Sequence, residues 1–105
     1  MRTIRVIDEA RTEFDEILDY VRKCYGVRTE EKVYIDIRQR IMPLATMPEL
    51  GTIDTELHYH GKPVRILHSK HTRIIYAVRE TEVVIIMLWN NQRDDSVLRH
   101  LLSQR

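Results

Sequence analysis

The spacing of apolar residues changes character along this chain. Ala10, Phe14, Ile17, Leu18, Val21 and Cys24 recur at intervals of three and four, which is the stripe of an amphipathic helix. Asp8 stands ahead of that stripe as an N-cap, Glu9 suits the positive end of the helix dipole, and Gly26 ends the helix. A second stripe follows at Val33, Ile37, Ile41 and Leu44, opened by Thr29 with Glu30 and Glu31 in its first turn. A link of about four residues makes the two helices an antiparallel hairpin. Pro43 falls inside the second stripe and predicts a kink or a looser last turn, and Pro48 and Gly51 close the segment.

Around the hairpin the period drops to two. Arg2 to Ile7 alternates in part and reads as a short first strand. Four further strands are predicted at Thr55 to His60, Val64 to Ser69, Arg73 to Arg79 and Glu82 to Trp89, with Gly61-Lys62 as the first turn. Their short connections predict an antiparallel meander. Val83 to Trp89 is apolar on both parities, as a strand covered on both faces must be. Tyr76 alternates with Ile74 and Val78 and points to the core, and Trp89 reads as core too. Asp94 or Asp95 caps a short last helix carrying Val97, Leu98, Leu101 and Leu102 on one side. The predicted order is β-α-α-β-β-β-β with a short final helix. This is an α+β fold with its helices packed on one face of an antiparallel sheet, because each one-sided helix needs a cover.

Length fits one domain over residues 1–105. No apolar run approaches the ~20 residues that span a bilayer. The start, MRTIRVIDEAR, lacks the apolar core of a signal peptide, so the chain reads as cytoplasmic. Its single cysteine, Cys24, excludes an internal disulfide and reads as a packing residue. His58 and His60 share one strand face, but two ligands are not a metal site and no third follows at useful spacing. No metal or cofactor is expected.

Charge adds one local feature. The net charge is only +1, yet His58 to Arg79 holds Lys62, Arg65, Lys70, Arg73 and Arg79, with four histidines and no carboxylate. Such a cationic sheet segment suits a polyanion; the plain alternative is a solvated face with scattered basic residues.

The order of elements and several phrases resemble the RelE/ParE superfamily of bacterial type II toxins. The phrases are Ala10-x-x-x-Phe14 through Ile17 to Tyr20 and Gly26, Leu44-x-x-x-Pro48-x-x-Gly51, Val64-Arg65-Ile66-Leu67, Arg73-Ile74-Ile75-Tyr76, and Val83-Val84-Ile85-Ile86 leading to Gln92-Arg93-Asp94. The resemblance implies a growth-inhibiting toxin restrained by a cognate antitoxin, touching operator DNA only through that antitoxin. It also implies either of two targets, because some members cleave messenger RNA on the ribosome and others poison DNA gyrase.

Arg65, Arg73 and Arg93 stand where the ribonuclease members place basic residues. Metal-free RNA cleavage needs a base for the ribose 2′-hydroxyl, a cation for the charged phosphorane and an acid for the leaving oxygen. Arginine suits the cation role only, since its fork holds phosphate oxygens but stays protonated. His68 and His71, flanking a turn beside Arg73, are the candidates for proton transfer. The structural alternative is that these arginines pair with carboxylates and that the histidines are exposed turn residues. The best-known ribosome-dependent members carry a Tyr, or a His-Tyr pair, after the last strand, and this chain has no Tyr after Tyr76. The reading therefore leans to a ParE-like action on gyrase. The alternatives are a RelE-like endoribonuclease and an inactive relative kept for its antitoxin contacts.

Overall fold

The structure, a computed structural model describing residues 1–105, starts with β1 (Thr3–Val6), α1 (Asp8–Tyr25) and α2 (Val27–Ile41). Two 3-10 turns follow, Met42–Ala45 and Pro48–Leu50, then β2 (Thr52–Tyr59), β3 (Lys62–His68), β4 (Thr72–Val78), β5 (Glu82–Asn90) and α3 (Asp95–Ser103). No helix is long and apolar enough to cross a membrane.

The α+β class and the element order match expectation, but the sheet is mixed. Its order is β1-β5-β4-β3-β2, with β2 to β5 an antiparallel meander and β1 parallel to β5. Three reversals in the meander bring β5 back in the direction of β1. Nor do all helices share one face. One core cluster joins Ala10, Ile37, Ile41 and Leu44 of the hairpin segment to Ile74, Tyr76, Val83 and Ile85. The other joins Leu98 and Leu102 of α3 to Val64, Ile75, Ile86 and Trp89 on the opposite face.

Local chemistry shifts several boundaries. A single residue, Gly26 at φ 95°, joins α1 to α2, rather than a loop of four. Only a residue tolerant of positive φ can end one helix and begin the next in one step. Asp8 is the first helical residue and Ile7 the N-cap, so Asp8 acts through the dipole alone. Thr29 lies inside α2, its hydroxyl donating to Tyr25 O at 3.3 Å. Pro43 turns the end of the second helix into 3-10 geometry, as its missing N–H requires. The hairpin turn is His60-Gly61, both at positive φ, so Lys62 belongs to β3 and His60 leaves the strand face it was expected to share with His58. Cys24 is exposed and does not pack.

β5 runs between β1 and β4 and is buried from Val83 to Trp89. Ile75 pairs with Met87 and Tyr76 with Ile85, leaving Ile86 as the extra residue of a β-bulge. Ile86 and Met87 therefore both turn to the α3 face, and Leu88 returns to the hairpin face.

β1 is too short to cover this strand. Its pairing stops at Val6 and Ile85. Beyond that point two side chains take the place of a neighbouring strand. Glu13 Oε1 accepts from Leu88 N at 3.2 Å, and Arg105 Nη1 donates to Ile86 O at 2.9 Å. The two side chains bond each other at 2.8 and 2.7 Å, each about one-tenth exposed. A buried pair of this kind is costly to break from one side, because the survivor keeps its charge without compensation. Glu13→Gln and Arg105→Gln should each lower the unfolding free energy by ~3–5 kcal/mol. The double variant should lose much less than the sum of the two in urea denaturation. Additive losses would mean that the pair is not coupled.

Candidate functional site

The structure separates the arginines that the sequence grouped. Arg65 pairs with Tyr76 across β3 and β4 and shares the hairpin face with Leu67. It holds backbone, not a carboxylate: Nη1 donates to Gly51 O at 2.7 Å and to Glu49 O at 3.4 Å. The buried Tyr76 hydroxyl completes the clasp, donating to Pro48 O and accepting from Gly51 N, both at 2.7 Å. Burial raises the Tyr76 pKa above its ordinary value. Gly51 is required by space, since a Cβ there would lie 2.6 Å from the Tyr76 hydroxyl oxygen. Arg65 and Tyr76 thus fasten the 3-10 turn that leads into β2.

Arg73 lies on the other face. It pairs with His68 on β3 and Trp89 on β5, so the three side chains form a row across adjacent strands. Nε of Arg73 donates to Asn91 Oδ1 at 2.9 Å, and Nη2 donates to the Asp95 carboxylate in the first turn of α3. Arg93 reaches the same place from the loop after β5, with its guanidinium carbon 4.4 Å from the centre of the Trp89 ring. That is a cation–π distance. The ring is fully buried and its Nε1–H has no acceptor. Asp94 caps α3 by accepting from Ser96 N at 3.0 Å, which holds its carboxyl below the usual range. This arrangement can bind an anion. Arg93 makes no ion pair with the protein, and Arg73 becomes available if Asp95 yields.

His68 is exposed at the end of this row. His71 is exposed in the β3–β4 turn, where its carbonyl accepts from Asn91 N at 2.9 Å and its ring borders a cleft under the helical hairpin. The five candidates therefore split: His68, Arg73 and Arg93 gather near the base of α3, while Arg65 and His71 lie apart. His60 stacks on Tyr59 at 4.0 Å between ring centres and gains no metal-binding neighbours. Sequence reasoning missed Asn91, Glu13 and Arg105. Asn91 has a usable signal in its Asn-Asn-Gln loop after a strand; the others depend on contacts between distant segments.

With the site described, comparison with known proteins decides the family. The family model described as ParE toxin of type II toxin-antitoxin system, parDE, matches residues 4–95. The chain belongs to this family. Among solved structures, the chromosomal ParDE toxin–antitoxin system from P. aeruginosa contains a similar chain, with 21% identity and a TM-score of 0.70. The likeness covers 86% of this chain and 96% of that one and shows a shared fold. A copper-bound mutant toxin from Helicobacter pylori is 16% identical over 88% of this chain and 97% of its own, at a TM-score of 0.48, too low to carry an argument. No curated protein matches the chain. In this ParE-family chain Arg65 and Tyr76 hold the turn before β2, while Arg93 stands exposed over Trp89 beside Arg73.

That division has measurable consequences. Arg65→Ala or Tyr76→Phe should cost ~1–3 kcal/mol in denaturant unfolding, by stranding buried backbone groups. Arg93→Ala should change stability by no more than ~0.5 kcal/mol, as an exposed substitution does, while shifting Trp89 fluorescence. Tyr76 also sets an alkaline limit. Its neutral form is favoured by folding, so its contribution is intact below the unfolded tyrosine pKa, ~10. It is lost as pH rises through the higher folded value. Tyr76→Phe should flatten the fall in stability between the unfolded and the folded values, and an unchanged alkaline slope would exclude the assignment.

Proposed function

We propose that this ParE-family protein is the toxin of a type II module that arrests growth by binding DNA gyrase, and that a cognate antitoxin restrains it. The observation that supports the reading is the engagement of the arginines. Arg65 is tied to the carbonyls of Glu49 and Gly51, and Arg73 to Asn91 and Asp95. Groups so held do not converge on one phosphate, as a cleavage site requires. A binding mechanism makes no such demand: it needs a stable surface with an accessible cation, which the exposed Arg93 over the buried Trp89 ring supplies. The absence of a Tyr after Tyr76 agrees with it.

One arrangement favours messenger RNA cleavage as the second reading. His68, Arg73 and Trp89 lie in a row on one face, with Arg93 beside them. There Arg73 and Arg93 would hold the phosphate and His68 would transfer the proton.

The two readings separate in vitro. Purified protein should block gyrase supercoiling or trap cleaved DNA, and Arg93→Ala should weaken this severalfold. The antitoxin encoded beside it should co-purify and restore supercoiling. Normal supercoiling at molar excess of protein, with cut message in a translating extract that Arg73→Ala abolishes, would reverse the order of the readings.

A further inference from the structure

α2 carries a second stripe that the fold does not use. Its buried residues, Ile37 and Ile41, face the sheet. About a quarter turn away, at 100° per residue, lie Val27, Glu31, Tyr34, Ile35, Arg38 and Met42. All six are exposed, and Val27, Ile35 and Met42 are each half exposed or more. Met42 belongs to the stripe because its backbone keeps helical angles as α2 passes into the 3-10 turn. Scattered apolar residues on a surface need no explanation, but four in line on one helix face do.

The order of this stripe is a palindrome. Its spacings are four, three, one, three and four in either direction, with the centre between Tyr34 and Ile35. A second α2 laid antiparallel about that centre therefore sets Val27 against Met42, Glu31 against Arg38 and Tyr34 against Ile35, each pair occurring twice. Apolar residues meet apolar ones and opposite charges meet. Glu31 and Arg38 have no ion pair within the chain; Arg38 only donates to the Tyr34 hydroxyl at 3.2 Å. A parallel arrangement would instead oppose Glu31 to Glu31 and Arg38 to Arg38, which sets the direction. Beside the centre lies a hollow of about 490 Å³ bounded by Leu18, Glu30, Glu31, Tyr34 and Ile35. The second copy's ridge enters there, and its own hollow receives the first.

We infer that this face of α2 is a two-fold contact between copies of the chain. A self-complementary patch is what such symmetry requires, since one surface must serve both partners. At ~22 Å long, one pair of helices falls short of the ~1,200 Å² that stable complexes bury, so the dimer forms and dissociates with concentration. The inference rests on α2 alone and stands whichever target the protein acts on.

Sedimentation of the purified chain tests it. From about 1 to about 300 µM the mass should rise from one copy towards two, with a dissociation constant on the order of 10–100 µM. Glu31→Arg and Arg38→Glu are exposed substitutions and should keep the thermal unfolding midpoint. Each alone opposes like charges and should weaken the dimer about tenfold. An equimolar mixture of the two variants makes every facing pair opposite in sign again and should recover the original affinity. A monomer at every concentration would overturn the inference and leave the stripe to a different protein. Undiminished dimers of either variant, or a mixture no tighter than its components, would place any dimer contact elsewhere and overturn it too.

Discussion

Everything in this fold leans on β5. It supplies more residues to each core cluster than any other strand, and it must satisfy two apolar faces and two edges at once. The β-bulge at Ile86 divides its side chains between the clusters. The edge beyond Ile85 is the harder constraint, because a buried backbone N–H or C=O without a partner costs as much as a lost hydrogen bond. Lengthening β1 would have satisfied it, but the chain turns into α1 at Asp8. Glu13 and Arg105 do the work of a strand with two side chains. A neutral pair could supply the same donor and acceptor. The charged pair also joins α1 to the segment after α3, so it links the two sides of the sheet.

α3 depends on this more than its length suggests. A nine-residue helix has little stability of its own, since helices under ~12–15 residues are marginal in water. It is held by Leu98 and Leu102 against the sheet and by three arginine–carboxylate pairs to different elements. Arg73–Asp95 ties its start to β4, and Arg99–Glu56 ties its middle to β2. Arg105–Glu13 ties the second residue after its end to α1. The first two are exposed on at least one side and are worth little singly. The buried third pair is the anchor. The candidate anion site sits at the weakly held end, where Asp95 occupies the Arg73 fork that a phosphate would otherwise take.

What the sequence disclosed follows from the range of the interactions involved. Helical stripes, strand alternation, the Gly26 break, the Pro43 distortion and the buried character of Tyr76 and Trp89 are set by neighbours within a few positions, and all were legible. The parallel pairing of β1 was not, because local pattern does not choose between the two edges of a meander. The placement of α3 opposite the hairpin was hidden for a related reason: β3 shows apolar residues on both parities, Val64 and Ile66 against Leu67. The same ambiguity concealed the split of Arg65 from Arg73. They fall on opposite faces only because register places Arg65 beside Tyr76 and Arg73 beside Trp89. Glu13 reads in the sequence as one more polar position on α1, and its partner lies 92 residues away.

The functional surfaces follow the same division between what is held and what is left over. Arg65 and Tyr76 are fixed by the need to fasten the Pro48–Gly51 turn, and their chemistry is internal. Arg93, Lys32 and Lys70 make no ion pair. Arg93 stands over the Trp89 ring on the α3 side of the sheet, and the two lysines border the cleft beneath the hairpin. Arg93 and the two lysines lie on different sides of the sheet, so they do not make one extended cationic surface.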